Sequence, residues 1–133
     1  MKSFKLRFLC AEQIEYEGDC VSVVFPVEDG YVGILADHSN MITVMHDGEL
    51  RINTGSEMLD YAVTDGLVQV KNGEMMILAF SAEKPDEIDE KRAEEAAIRA
   101  RIRIKRKRSE LEYRQAQADL SRALNRLKVK HRG

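Results

Sequence analysis

The chain predicts an amino-terminal antiparallel β-sandwich followed by a carboxy-terminal antiparallel two-helix hairpin, and three observations carry that expectation. Short runs of alternating hydrophobicity recur up to residue 80, spaced as in small sandwiches and barrels. Every glycine except Gly133 lies at or before Gly73, and no proline follows Pro85. The charge reverses at the same place: residues 1–80 carry 5 Lys+Arg against 13 Asp+Glu, and residues 81–133 carry 16 against 10. The expected domains are therefore 1–84 and 85–133.

The strands are read in order. Phe4, Leu6, Phe8 and Cys10 alternate with Lys5, Arg7 and Leu9, which gives one face more apolar than the other. Similar runs follow at Val21 to Phe25, Tyr31 to Leu35, Met41 to Met45, Leu50 to Ile52, Leu59 to Val63, Leu67 to Val70 and Met75 to Phe80. Turns are expected at Glu17-Gly18-Asp19, Glu28-Asp29-Gly30, His46-Asp47-Gly48, Asn53-Thr54-Gly55, Thr64-Asp65-Gly66 and Lys71-Asn72-Gly73. Asp-Gly and Asn-Gly pairs supply the positive φ that tight hairpins need.

After Pro85 the period changes. Pro85, with Asp86 or Asp89 as cap, opens a helix. Ala93, Ala97, Ala100 and Ile104 fall at i, i+4, i+7 and i+11, and Ala116, Leu120, Ala123 and Leu127 repeat the spacing. Two helices joined near Arg108 to Glu110 would pack closely along this alanine seam. The stretch Arg99 to Lys105 alternates as a strand would, but it lacks any turn residue and is rich in helix formers, so helix is expected.

Composition narrows the function classes. The longest nearly unbroken apolar run, Met75 to Phe80, is too short to span a bilayer, and the first residues lack the apolar core of a signal peptide. Cys10 and Cys20 have neither zinc nor redox spacing and are expected to be buried and reduced. His38, His46 and His131 stand beside no nucleophile elbow, and there is no Walker A loop, so no enzyme signature emerges. Arg99 to Arg108 places seven cations in ten residues, enough to track phosphates, although no aromatic side chain there could stack on a base.

A small-ligand switch is the third class. Asp89, Arg92, Ala93, Ala96 and Arg99 lie along one stripe of the first helix, and Arg122 and Arg126 are one turn apart on the second. If the hairpin closes, several guanidinium groups converge beside an acid and a small residue. A polyphosphate would relieve their repulsion, the carboxylate could accept from an exocyclic amine, and alanine leaves room for a flat ring. Surface arginines paired with Glu90, Glu94 or Glu95 are the equally simple alternative.

The ordered segments FKLRFLCAEQIEYEGD, VSVVFPVEDGYVGILADHSNMIT, GELRI, YAVTDGLVQVKNGEMMIL, IDEKRA and SRALNRLKV resemble the epsilon subunits of bacterial F-type ATP synthases over nearly the whole chain. The resemblance implies a non-catalytic rotor subunit, peripheral on the cytoplasmic face of the plasma membrane. Its sandwich would bind the gamma subunit and the ring of c subunits. Its hairpin would lie folded, or extend into the alpha/beta catalytic head and block ATP hydrolysis.

In the Bacillus-like members the folded hairpin binds ATP through Ile/Leu-Asp-x-x-Arg-Ala, which reads Ile88-Asp89-Glu90-Lys91-Arg92-Ala93 here. Glu83, Arg99, Arg122 and Arg126 stand at the other positions of that set. The implied ATP site is thus Glu83, Ile88, Asp89, Arg92, Ala93, Arg99, Arg122 and Arg126, with ATP as a regulatory ligand and a role for magnesium left open. The family's Pro-Gly-His-Ala turn reads Ala36-Asp37-His38-Ser39, keeping only His38. The runners-up are the same subunit without useful ATP affinity, and a basic module for nucleic acid.

Overall fold

The computed structural model describes residues 2–11, 13–106 and 108–132 and divides into two compact units, the second beginning at Lys84. The first unit consists of two five-stranded sheets. One has the order β2-β1-β9-β8-β5, from Gln13–Cys20, Phe4–Cys10, Glu74–Ala79, Gly66–Lys71 and Met41–Met45. The other has the order β10-β7-β6-β3-β4, from Ala82–Glu83, Met58–Val63, Gly48–Asn53, Ser22–Val27 and Gly30–Leu35.

Alternation along the strands builds the core. Phe4, Leu6 and Phe8 of β1, Val68 and Val70 of β8, and Met75 and Ile77 of β9 point inward from the first sheet. Val23, Phe25, Ile34, Leu50, Ile52, Tyr61 and Val63 meet them from the second. Phe8 stands edge-on to Tyr61 with ring centroids 4.9 Å apart, a favoured aromatic geometry. One neighbouring pair, β1 and β9, runs parallel, with Leu6 opposite Met75 and Phe8 opposite Ile77.

Most of the expected turns form, and Asn72-Gly73 is a tight hairpin with φ of 52° and 78° joining β8 to β9. Glu17-Gly18-Asp19 does not turn; it lies inside β2, where Gly18 pairs with Leu6. The period is present, with Ile14, Tyr16 and Cys20 alternating with Glu15, Glu17 and Asp19, but Gly18 between two acids reads as a turn and interrupts it. Cross-strand charges support the strand: Lys5 faces Asp19 at 2.7 Å and Arg7 faces Glu17 at 2.8 Å. In the altered turn, Asp37 holds the left-handed φ of 67°. Aspartate tolerates that region better than most residues.

Cys20 is fully buried, and burial, then Asp19, pushes its thiol up to about 11. Cys10 is only half-buried, a correction to the expectation that both are enclosed. Both thiols are free.

The second unit opens with a short 3-10 turn, Pro85–Glu87, in which the Glu87 carboxylate accepts from the Lys84 backbone N–H at 2.9 Å. Helix α1 spans Glu90–Arg106 and α2 spans Glu110–Arg132. Asp89 caps α1 by accepting from the Arg92 backbone N–H at 3.1 Å, and Ser109 caps α2 by accepting from Glu112 at 3.1 Å. Ala93, Ala97 and Ala100 of α1 are buried, as are Ala116, Ala123 and Val129 of α2, and the two helices pack along each other. The alternating stretch Arg99 to Lys105 is helical throughout and leaves Ile98 and Ile102 exposed.

Candidate functional site on the helical hairpin

Two contacts fix how the helices run past one another. Glu90 at the start of α1 meets His131 near the end of α2 at 2.6 Å. Arg103 near the end of α1 meets Asp119 of α2 at 2.6 Å. On this antiparallel register Arg99 is level with Arg122, and Arg126 falls between the levels of Arg92 and Arg99.

The faces follow from the same contacts. Arg92, Ala96, Arg99 and Arg103 are spaced i, i+4, i+7 and i+11, a stripe beside the buried alanines. On α2, Asp119, Arg122 and Arg126 form a stripe of their own. Because Arg103 touches Asp119, the two stripes border the same side of the hairpin.

The eight expected residues therefore take different places. Arg92 and Arg99 are exposed, Arg122 and Arg126 are half-buried, and all four belong to this pair of stripes. Ala93 is sealed in the seam, Ile88 is buried before α1, and Asp89 is committed to the helix cap. Glu83 ends β10 in the other unit, half-buried and paired with Ala62 of β7. Of the basic run, Lys107 lies outside the described residues.

Sequence reasoning missed Asp119. Its two oxygens are divided: Oδ2 accepts from Arg103 of α1 at 2.6 Å, and Oδ1 accepts from Arg122 of its own helix at 2.8 Å. Partial burial acts to raise its pKa, but hydrogen bonds and charge from the two arginines outweigh it and hold the carboxyl below the usual range. A signal was present. Asp119-Leu120-Ser121-Arg122-Ala123 repeats the Asp-x-x-Arg-Ala pattern of Asp89 to Ala93. At a helix start that spacing makes a cap, and inside a helix it makes an i, i+3 ion pair.

No group of three or more His, Cys, Asp or Glu among the described residues is arranged to hold a metal ion. The hairpin carries guanidinium groups on both helices that could meet a polyphosphate, and Asp119 engages two of the arginines along these stripes, Arg103 and Arg122.

Residues 3–85 match the family described as the beta-sandwich domain of the ATP synthase Delta/Epsilon chain, and residues 86–130 match its long alpha-helix domain. The chain belongs to the epsilon-chain family of ATP synthase. It is 35% identical over 128 residues to the ATP synthase epsilon chain of Desulforamulus reducens, covering 96% of this chain and 97% of that one. To the epsilon chain of Ruminococcus albus it is 37% identical over 130 residues, covering 97% of each.

Two solved structures share the epsilon-chain fold at low identity. One is a chain of the Euglena gracilis mitochondrial ATP synthase, with a TM-score of 0.81, 20% identity and coverage of 90% of this chain and 76% of that one. The other comes from the central stalk and c-ring of the Tetrahymena thermophila enzyme, with a TM-score of 0.65, 15% identity and coverage of 96% and 95%.

Proposed function

We propose that this epsilon chain is a non-catalytic rotor subunit whose hairpin inhibits ATP hydrolysis and is held folded by ATP that it binds without hydrolysing. The observation that carries this reading is the pair of arginine-bearing stripes bordering one side of the hairpin. A site that needs Arg92 and Arg99 from one helix and Arg122 and Arg126 from the other exists only while the helices lie side by side. ATP then selects that state, because a ligand shifts a two-state equilibrium through its differential affinity.

The sandwich supports the partner half of the proposal. On the outer face of its first sheet Leu9, Leu78, Leu67 and Val44 are register neighbours across four strands, with Ile42 in the next row. Val44 and Leu67 are about half exposed and Ile42 is 74% exposed, an apolar band of the kind that marks an interaction face. We assign it to the gamma subunit, with the ring of c subunits as the sandwich's other partner and the alpha/beta head as the partner of the extended hairpin. No helix among the described residues is long and apolar enough to cross a membrane. The proposed place is peripheral, on the cytoplasmic face, held by those partners.

Titration of the isolated chain with ATP tests the reading. Asp89→Ala and Arg92→Ala should each weaken binding by about 1.5–3 kcal/mol, the range for hydrogen bonds to charged groups. Arg101→Ala, off the stripe, should matter far less. Equal losses at all three positions would reduce the site to diffuse attraction. A second reading, the same rotor subunit without useful ATP affinity, draws on the pairing of Arg122 with Asp119, which occupies one of the phosphate-binding candidates.

A further inference from the structure

The carboxylate of Asp119 occupies the kind of position that a phosphate oxygen would take. It accepts from the Nη1 of Arg103 and the Nη2 of Arg122, one arginine from each helix, and it is a single anion placed between them. The flanking positions on the same stripes are Arg99 and Arg126, both cationic. Asp119 is thus an acid set within that row of arginines, whereas Asp89 stands at the start of α1 and caps it through Oδ1.

We propose that Asp119 is an internal competitor for the nucleotide's phosphates: it engages Arg122 while the site is empty and so sets the ATP concentration at which the hairpin responds. The inference rests on the ATP-binding reading and deepens it. An arginine that must leave, or share, a carboxylate to meet a phosphate yields less net affinity than one that meets it from water, because charge-assisted hydrogen bonds are exchanged rather than gained. The carboxylate's own charge also repels the incoming polyanion. Both effects scale with the negative charge of the ligand's tail and leave its base and ribose untouched.

This dependence on charge separates competition from a merely structural role. If Asp119 only clamped the helices together through Arg103, its removal would weaken every ligand of the closed hairpin by the same factor. As a competitor, its removal strengthens binding, and most for the longest phosphate tail.

The experiment is isothermal titration of the full chain and of Asp119→Asn with ATP, ADP and adenosine at fixed salt, with helix content followed by far-ultraviolet circular dichroism. Asp119→Asn should bind ATP about fivefold more tightly than wild type and ADP about two- to threefold more tightly, with adenosine unchanged, as expected for one screened charge beside a polyanion. Asp119→Glu should return ATP affinity towards wild type. Asp119→Ala, a strong helix former, should behave as Asp119→Asn and replaces it if asparagine lowers the helix content. Wild type that binds ATP while both variants bind it equally or more weakly overturns the proposal and leaves the ATP site standing. A uniform change across all three ligands also overturns it. If neither wild type nor variant binds ATP, the ATP reading falls and the competitor with it.

Discussion

Replacing Ala97 by leucine should open the hairpin while leaving the sandwich intact. Ala97 is 2% exposed and sits in α1 between Ala93 and Ala100, which are equally sealed. The facing helix presents Ala116 and Ala123, also buried, so the helices meet along a seam built largely of methyl groups. Leucine adds three carbon atoms, and overpacking a close-packed site costs about 1–3 kcal/mol. Helix propensity changes little between alanine and leucine, so almost all of that cost falls on the closed state. The closed-to-open ratio should drop by about 5- to 150-fold, since about 1.4 kcal/mol is a factor of ten. Hydrogen exchange by mass spectrometry reads this directly: amides of α1 and α2 should exchange faster by that factor, with the core strands unchanged. Glu94→Leu on the exposed face is the control. If Ala97→Leu protects the helices as well as the control does, the seam is not what closes the hairpin.

Three further outcomes follow from the packing. Gly66→Ala should destabilise the sandwich by about 2 kcal/mol or more, because its Cβ would lie 2.2 Å from the Leu78 carbonyl oxygen, a backbone atom; a denaturant midpoint equal to wild type refutes this. A chain truncated after Lys84 should fold, since the large core side chains and β10 all lie before that point; loss of a cooperative melt would show that the helices supply core. The lowered Asp119 carboxyl contributes stability that is complete above the unfolded value near 4 and is lost as pH falls through the folded one. With its side chain 41% exposed the contribution is less than about 1 kcal/mol. Acid titration of helix content should therefore show a shallow loss below about pH 4 that Asp119→Asn lacks.

The strands that were legible in the sequence are those with one wet and one dry face. β1 alternates buried and exposed residues through Phe8, and its period shows at once. β2 was missed because Gly18 between Glu17 and Asp19 reads as a turn and interrupts the period of Ile14, Tyr16 and Cys20, and β10 was not expected because a two-residue pairing is too short to show a period. The helical half was legible through its alanines, whose spacing marks a close seam whether or not a partner helix is known. Asp119 was not singled out because its partner in α1, Arg103, is 16 residues away, and only the turn at Ser109 brings them together. Spacing within one helix predicts faces, whereas pairing across a hairpin depends on register, which here is set by the length of the loop between Arg106 and Glu110.

The difference in packing between the two units bears on which of them can switch. The sandwich buries Phe4, Leu6, Phe8, Phe25, Leu50, Ile52 and Tyr61, side chains worth about 1.5–3 kcal/mol each when removed from water. The hairpin buries five alanine methyls, about 0.8 kcal/mol each, and one larger side chain, Val129, with Ile104, Leu120 and Leu127 only half covered. The contacts of Glu90 with His131 and of Arg103 with Asp119 are partly exposed, and the second is an ion pair that salt weakens. An equilibrium held by a few kcal/mol can be moved by a ligand whose differential affinity is of the same size, whereas a core of large side chains cannot. Enlarging the seam with bulkier side chains, if they could be accommodated, would stabilise the closed hairpin and, on the proposed reading, take it out of the range in which ATP could control it. The small size of alanine thus serves close packing and, on that reading, keeps the helices separable.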